Sequence, residues 1–226
     1  MKVKAQTGAV AAFVQAAGNI WILILLLALL PSLGAKVTEL GDVAKASRAE
    51  SQPLFWISTT AADLVEGVTI MVIALALLGL LRTGTLVRIG TVVGGLAALA
   101  WVAGAILSLT GGSHLASLYA SDPASAAAAY TSTVAPADAA VNVGRALLSI
   151  WLAIVFWSAL RQHALPGPLS YLAIILAVIG IASLVIPPAR LLAAVVSIAW
   201  AVWLGLVLLR TTASTSRAAA SGLREA

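Results

Sequence analysis

Residues 139–160 read AAVNVGRALLSIWLAIVFWSAL, a run of 22 residues in which the only charge is Arg145. Wound as a helix at 1.5 Å per residue, such a run crosses a hydrocarbon core of about 30 Å. Five further stretches have the same character: 10–33, 60–81, 87–109, 169–186 and 191–209. The expectation is an all-α fold, a single domain over 1–210 built as a polytopic bundle of six transmembrane helices. A polar, flexible cytoplasmic tail is expected over 211–226.

Composition places the whole chain in the same solvent. Of its 226 residues 62% are hydrophobic and 9% charged, and the mean hydropathy is +1.07, outside the range of water-soluble domains. The formal charge of +5 does not call for nucleic acid, because the basic residues cluster at the ends of the apolar runs. With six spans, Lys2, Lys4, Arg82, Arg88, Arg161, Arg210, Arg217 and Arg224 fall on one side, the cytoplasmic side by the positive-inside rule. Both termini are then cytoplasmic. Cysteine is absent, so disulfides, thiolate catalysis and cysteine metal sites are excluded.

The first run resembles a signal peptide in its leading lysines, but it is too long for an h-region and Leu33 occupies a cleavage position that requires a small residue. Gln15 and Asn19, at i and i+4, give it one polar face instead. Two longer connections are expected to be external. In 34–58, Pro53-Leu54-Phe55-Trp56-Ile57 reads as an interfacial anchor with Ser58-Thr59-Thr60 as a hydroxyl cap. In 111–137, Pro123 and Pro136 read as breakers in an Ala, Ser and Thr-rich loop.

Inside the spans, ionisable residues are costly and point toward one another. Asp138, Asn142, Arg145 and Ser149 recur at helical spacing and form one polar stripe. The second span offers Asp63 and Glu66. Sixteen residues separate Glu66 from Arg82, and sixteen separate Arg145 from Arg161. Both charges therefore lie about 24 Å from the basic end of their helices. The same offset suggests a parallel internal repeat. An ion pair between Glu66 and Arg145 is the natural expectation. Two readings of these six residues stand side by side: a satisfied pair that sets helix register, or the lining of a pocket for an ion or polar headgroup.

Gly90, Gly94 and Gly104 give the third span a small-residue seam for helix packing, inside the bundle or against a second copy. Trp21, Trp101, Trp151, Trp200 and Trp203 fall toward mid-span, where each indole N–H needs a partner, and they either fill the interior or line a cavity. His114 and His163 lie outside the spans, and the chain has no metalloprotease helix motif, phosphate-binding loop, dinucleotide fingerprint or nucleophile elbow. Neither a cofactor nor a metal is expected, nor an enzymatic activity.

Six spans, a longer first external loop, Ala61-Ala62-Asp63-Leu64 and the compact turn from Leu160-Arg161-Gln162-His163 through Pro166-Gly167-Pro168-Leu169 resemble the bacterial membrane proteins of domain-of-unknown-function family 4386. The resemblance implies a multi-pass protein of a bacterial plasma membrane and supplies no substrate. The expected role is that of a non-enzymatic membrane protein binding a lipid-like small molecule or a partner membrane protein. The alternative is a small secondary carrier with Glu66 as coupling site and Arg145 as anion anchor.

Overall fold

The structure is a computed structural model that describes residues 2–39, 42–82 and 84–222. All regular structure among them is helical: α1 (Lys2–Ile24), α2 (Val43–Glu50), α3 (Pro53–Leu80), α4 (Thr85–Ser121), α5 (Pro123–Thr133), α6 (Ala135–Arg161), α7 (Gly167–Ala182) and α8 (Ala189–Gly222). Beyond Ile24 the first helix runs on through a π-helical turn, Leu25–Leu29, to Ser32. Five helical segments are long and apolar enough to cross a bilayer, the make-up of a multi-pass membrane protein. The sixth, α7, has 16 residues, fewer than the roughly 20 a perpendicular crossing takes. The apolar run expected to reach residue 186 stops being helical at Ala182, five residues before Pro187-Pro188.

Neighbouring helices close a ring. In order, α1 packs on α3, α3 on α4, α4 on α6, α6 on α7, α7 on α8, and α8 returns to α1. The outside of that ring is apolar: Val92, Leu99 and Val178 are each more than 60% exposed. In water such a surface would aggregate, whereas in lipid it is the expected exterior.

Two expectations about the connections are corrected. The stretch 111–137 is helical almost throughout, because alanine is the best helix former. Pro123 and Pro136 do not break helices but begin them, in the first turn, where a missing N–H costs nothing. Asp122 caps α5 by accepting from the Ala124 amide at 3.0 Å. Likewise Ser58-Thr59-Thr60 caps nothing: α3 already starts at Pro53 behind Gln52. The Thr59 hydroxyl instead donates back to the Phe55 and Trp56 carbonyls at 3.1 Å each.

Two helix ends share one hydrogen-bond pattern. After the first helix, the Ala35 amide donates to the Leu30 carbonyl and the Gly34 amide to the Pro31 carbonyl. After α6, Ala164 donates to Ala159 and His163 to Leu160. Both are Schellman motifs, which place one residue in the left-handed region. Gly34 takes it at φ 81°, and His163 takes it at φ 50°.

The two halves of the ring interior differ. Toward the end that holds Arg82 and Gln162, the space is filled. There the Arg82 amide donates to Gln162 Oε1 at 2.8 Å, linking the residues that follow α3 and α6. Trp151, Phe156 and Trp200 form a mutually edge-on cluster with centroids 5.6 to 6.5 Å apart. All three are fully buried among alanines and leucines of α1, α3, α7 and α8. The opposite half is hollow.

Candidate functional site

The hollow is a cavity of about 210 Å³. Every helix of the ring contributes to its wall. From α3 come Thr59, Ala62 and Glu66, at the i, i+3, i+7 spacing of one helical face. From α6 come Arg145, Leu148, Ser149 and Leu152. The π turn of the first helix adds Leu25 and Leu26, α4 adds Trp101, and α8 adds Arg190 and Ser197. A π turn widens the helix and re-aims its side chains, and such turns are frequent at functional sites. Val37, from the connection after the first helix, adds to the wall. It belongs to a small buried cluster with Leu30, Ala35, Ala49 and Phe55.

Glu66 and Arg145 both face this cavity, but the expected ion pair between them does not form. Among the described residues the only salt bridge is Lys45 to Glu39, at 2.8 Å in the first connection. The reason lies in the ring order: α3 and α6 are not adjacent, since α4 packs between them. Each group has neutral partners instead. The Glu66 carboxylate accepts from Gln15 Nε2 at 2.8 Å and from Asn19 Nδ2 at 3.4 Å. Arg145 Nη1 donates to Asn142 Oδ1 at 2.7 Å. The Arg145 guanidinium also lies over the Trp101 ring, 5.6 Å from its centroid, in cation–π contact.

The other residues singled out from the sequence divide. Asn142 and Ser149 support Arg145: the first through its side-chain oxygen, the second by donating its hydroxyl to the Arg145 carbonyl at 2.9 Å. Asp63 and Asp138 do not line the cavity. They stand toward the α2 side, within electrostatic reach of Glu50. Burial, followed by those two carboxylates, pushes the Glu50 carboxyl up from its ordinary 4.5 to about 8. No group of three or more metal-binding side chains occurs among the described residues.

The glycine seam is used inside the bundle. A Cβ on Gly90 would strike Val155, one on Gly94 the Trp151 indole, and one on Gly104 Val141. All three glycines thus seat α4 against α6. Among the five mid-span tryptophans, Trp101 lines the cavity and Trp151 and Trp200 fill the interior, while Trp21 and Trp203 are 44% and 38% exposed on the outer face. Among the described residues no partner is found for the indole N–H groups of Trp101, Trp151 and Trp200. Gly94 and Gly144 let the edges of the Trp151 and Trp101 rings approach the backbone too closely for a further group.

Three site residues escaped the sequence reading. Arg190, at the start of the last span, lines the cavity, its Nε donating to the Ser183 carbonyl at 3.4 Å. Gln15 and Asn19 were noticed as a polar face without a partner. Their signal was the i, i+4 amide pair in an apolar run, and what it marks is a cradle for a carboxylate. Comparison with protein-family profiles, curated proteins and solved structures returns no match.

Proposed function

We propose that this protein is a non-enzymatic binder of a small, lipid-like molecule, held in the cavity between its six helices. The observation that carries this reading is the cavity itself. It is largely apolar and ringed by helices, and it has Glu66, Arg145 and Arg190 at its wall. That combination of apolar lining and a few convergent polar groups is the usual make-up of a ligand site. The alternative of a partner membrane protein loses its best candidate surface, because Gly90, Gly94 and Gly104 are spent on α6. Basic residues at Arg82, Arg88, Arg161 and Arg210 support a cytoplasmic placement of the filled end, in a bacterial plasma membrane, with the cavity toward the outer leaflet.

A second reading, a secondary carrier, is favoured by two observations. Glu66 is not locked to Arg145, and the first helix is irregular at the cavity wall. Carriers interrupt their helices beside the substrate. With Glu66 as the coupling group and Arg145 as the anchor, pH-driven uptake into proteoliposomes would be lost in Glu66→Gln while the protein stays folded.

Native mass spectrometry of protein extracted gently from its own membrane tests the main reading. A small molecule bound at one per chain is the expected result. A second polypeptide at fixed stoichiometry would make the chain a complex subunit. A bare monomer after every mild extraction would remove the ligand reading.

A further inference from the structure

We infer that the molecule this cavity takes is an organic anion, a carboxylate on a compact apolar body, with its acidic group between Arg145 and Arg190. The inference rests on the cavity being a ligand site and goes further by assigning the sign of the ligand and the residues that read it. Two guanidiniums from two different helices, α6 and α8, share one enclosed space, and neither forms a salt bridge. Each carries five N–H donors. Within the protein Arg145 places one of them on Asn142 and Arg190 places one on Ser183. The remainder have no acceptor among the described residues. Like charges turned toward one low-dielectric space repel, and N–H donors removed from water there without an acceptor are costly; Asp138 acts on both guanidiniums and Asp63 on Arg145 from outside the wall, neither within ion-pair distance. A carboxylate oxygen pair removes both penalties, because the guanidinium fork matches it in geometry as well as in charge.

Glu66 does not fill that role. Its oxygens are occupied by Gln15 and Asn19 and lie beyond ion-pair distance from either arginine. Glu66, Arg145 and Arg190 are the only charged residues in the wall, while Asp63 and Asp138 act on the arginines from outside it. Size narrows the class further. About 210 Å³ is below the roughly 300–1,000 Å³ of sites for drug-sized ligands, so a two-chain phospholipid does not fit. The rest of the wall, including Ile22, Leu25, Leu152 and Leu176, suits an apolar body. The Trp101 ring holds Arg145 in place from one side.

Benzoate, benzamide and benzamidine share one shape and carry charges of −1, 0 and +1. Their binding to the full chain in lipid nanodiscs can be read as a saturable rise in Tm with probe concentration. Benzoate is expected to bind roughly tenfold tighter than benzamide, and benzamidine to leave Tm unchanged. Arg190→Gln is expected to remove the advantage of benzoate over benzamide, and Arg190→Lys, which keeps the charge, to retain part of it. If Arg190→Gln does not fold, the Lys variant and the three-probe series on the native chain still decide. Equal binding of benzoate and benzamide overturns the anion assignment and leaves the ligand site standing. Preference for benzamidine overturns its sign. An unaltered benzoate preference in Arg190→Gln overturns the role of Arg190. Silence of all three probes overturns the inference and, with it, the reading of the cavity as a small-molecule site.

Discussion

Glu66 and Arg145 face the same cavity from α3 and α6 without touching. Gln15 and Asn19 of α1 hold the carboxylate, while Asn142 and Trp101 hold the guanidinium. Two opposite charges in an apolar bundle thus remain apart, each hydrogen-bonded to a neutral amide, with α4 packed between their helices. An ion pair in contact would close the space. Kept apart, the charges stand as separate polar points on a largely apolar cavity wall.

That separation has an energetic signature. A buried pair in contact loses roughly 3–5 kcal/mol when one partner is removed and recovers much of it when both are. For Glu66→Gln and Arg145→Met the double-mutant cycle should instead give a coupling below about 1 kcal/mol. Reversible unfolding in mixed micelles measures it, and a coupling of about 3 kcal/mol would show that the two groups meet in the membrane.

The seam between α4 and α6 makes a sharper steric prediction. A Cβ at Gly94 would lie 2.7 Å from the Trp151 indole and 3.3 Å from the Ala74 methyl, and Trp151 is 1% exposed with nowhere to go. Gly94→Val should therefore cost roughly 1–3 kcal/mol. At the adjacent Gly95 the nearest atom is the flexible end of Met71, 3.8 Å away. Gly95→Ala should be stabilising by about 0.5–1 kcal/mol through the helix term alone. Equal effects at the two positions would mean that α4 does not seat on α6 through this face.

His163 sits where Gly34 sits in the corresponding motif, at φ 50°. A side chain there carries a left-handed penalty of about 1–2 kcal/mol, partly offset in glycine by backbone entropy. His163→Gly should thus raise stability by about 0.5–1 kcal/mol, and Gly34→Val should lower it. A destabilised His163→Gly protein would assign the imidazole a contact of its own.

Glu50 predicts a pH dependence outside the spans. Its folded-state value of about 8 lies above the ordinary 4.5, chiefly through burial, so between these values the folded protein binds more protons than the unfolded chain. The sign follows from linkage: this contribution is full below pH 4.5 and is lost as the pH rises through about 8. Unfolding followed from pH 5 to 9 should show stability falling toward alkaline pH, with a flatter profile in Glu50→Gln. An identical slope in the variant would show that Glu50 does not titrate in this window.

What was legible in the sequence depends on which distance each feature spans. The apolar runs and the stripe from Asp138 to Ser149 are local facts, governed by a rise of 1.5 Å and a turn of 3.6 residues. Helical character and lipid as solvent followed from them. Helix ends were less legible. Pro123 and Pro136 look like breakers in one dimension, and only the flanking alanines decide that they start helices. The order of the ring was not legible at all, since one lipid-compatible face resembles another. That order placed α4 between Glu66 and Arg145, brought Gln15 across 51 residues to Glu66 and turned Arg190 inward. The sequence alone determined that polar groups must meet inside the bundle, because lipid offers them no partner. Which groups meet, and that a cavity remains between them, was decided by tertiary packing, because helices that pack side by side leave a central space only where the inward side chains are too few or too small to fill it.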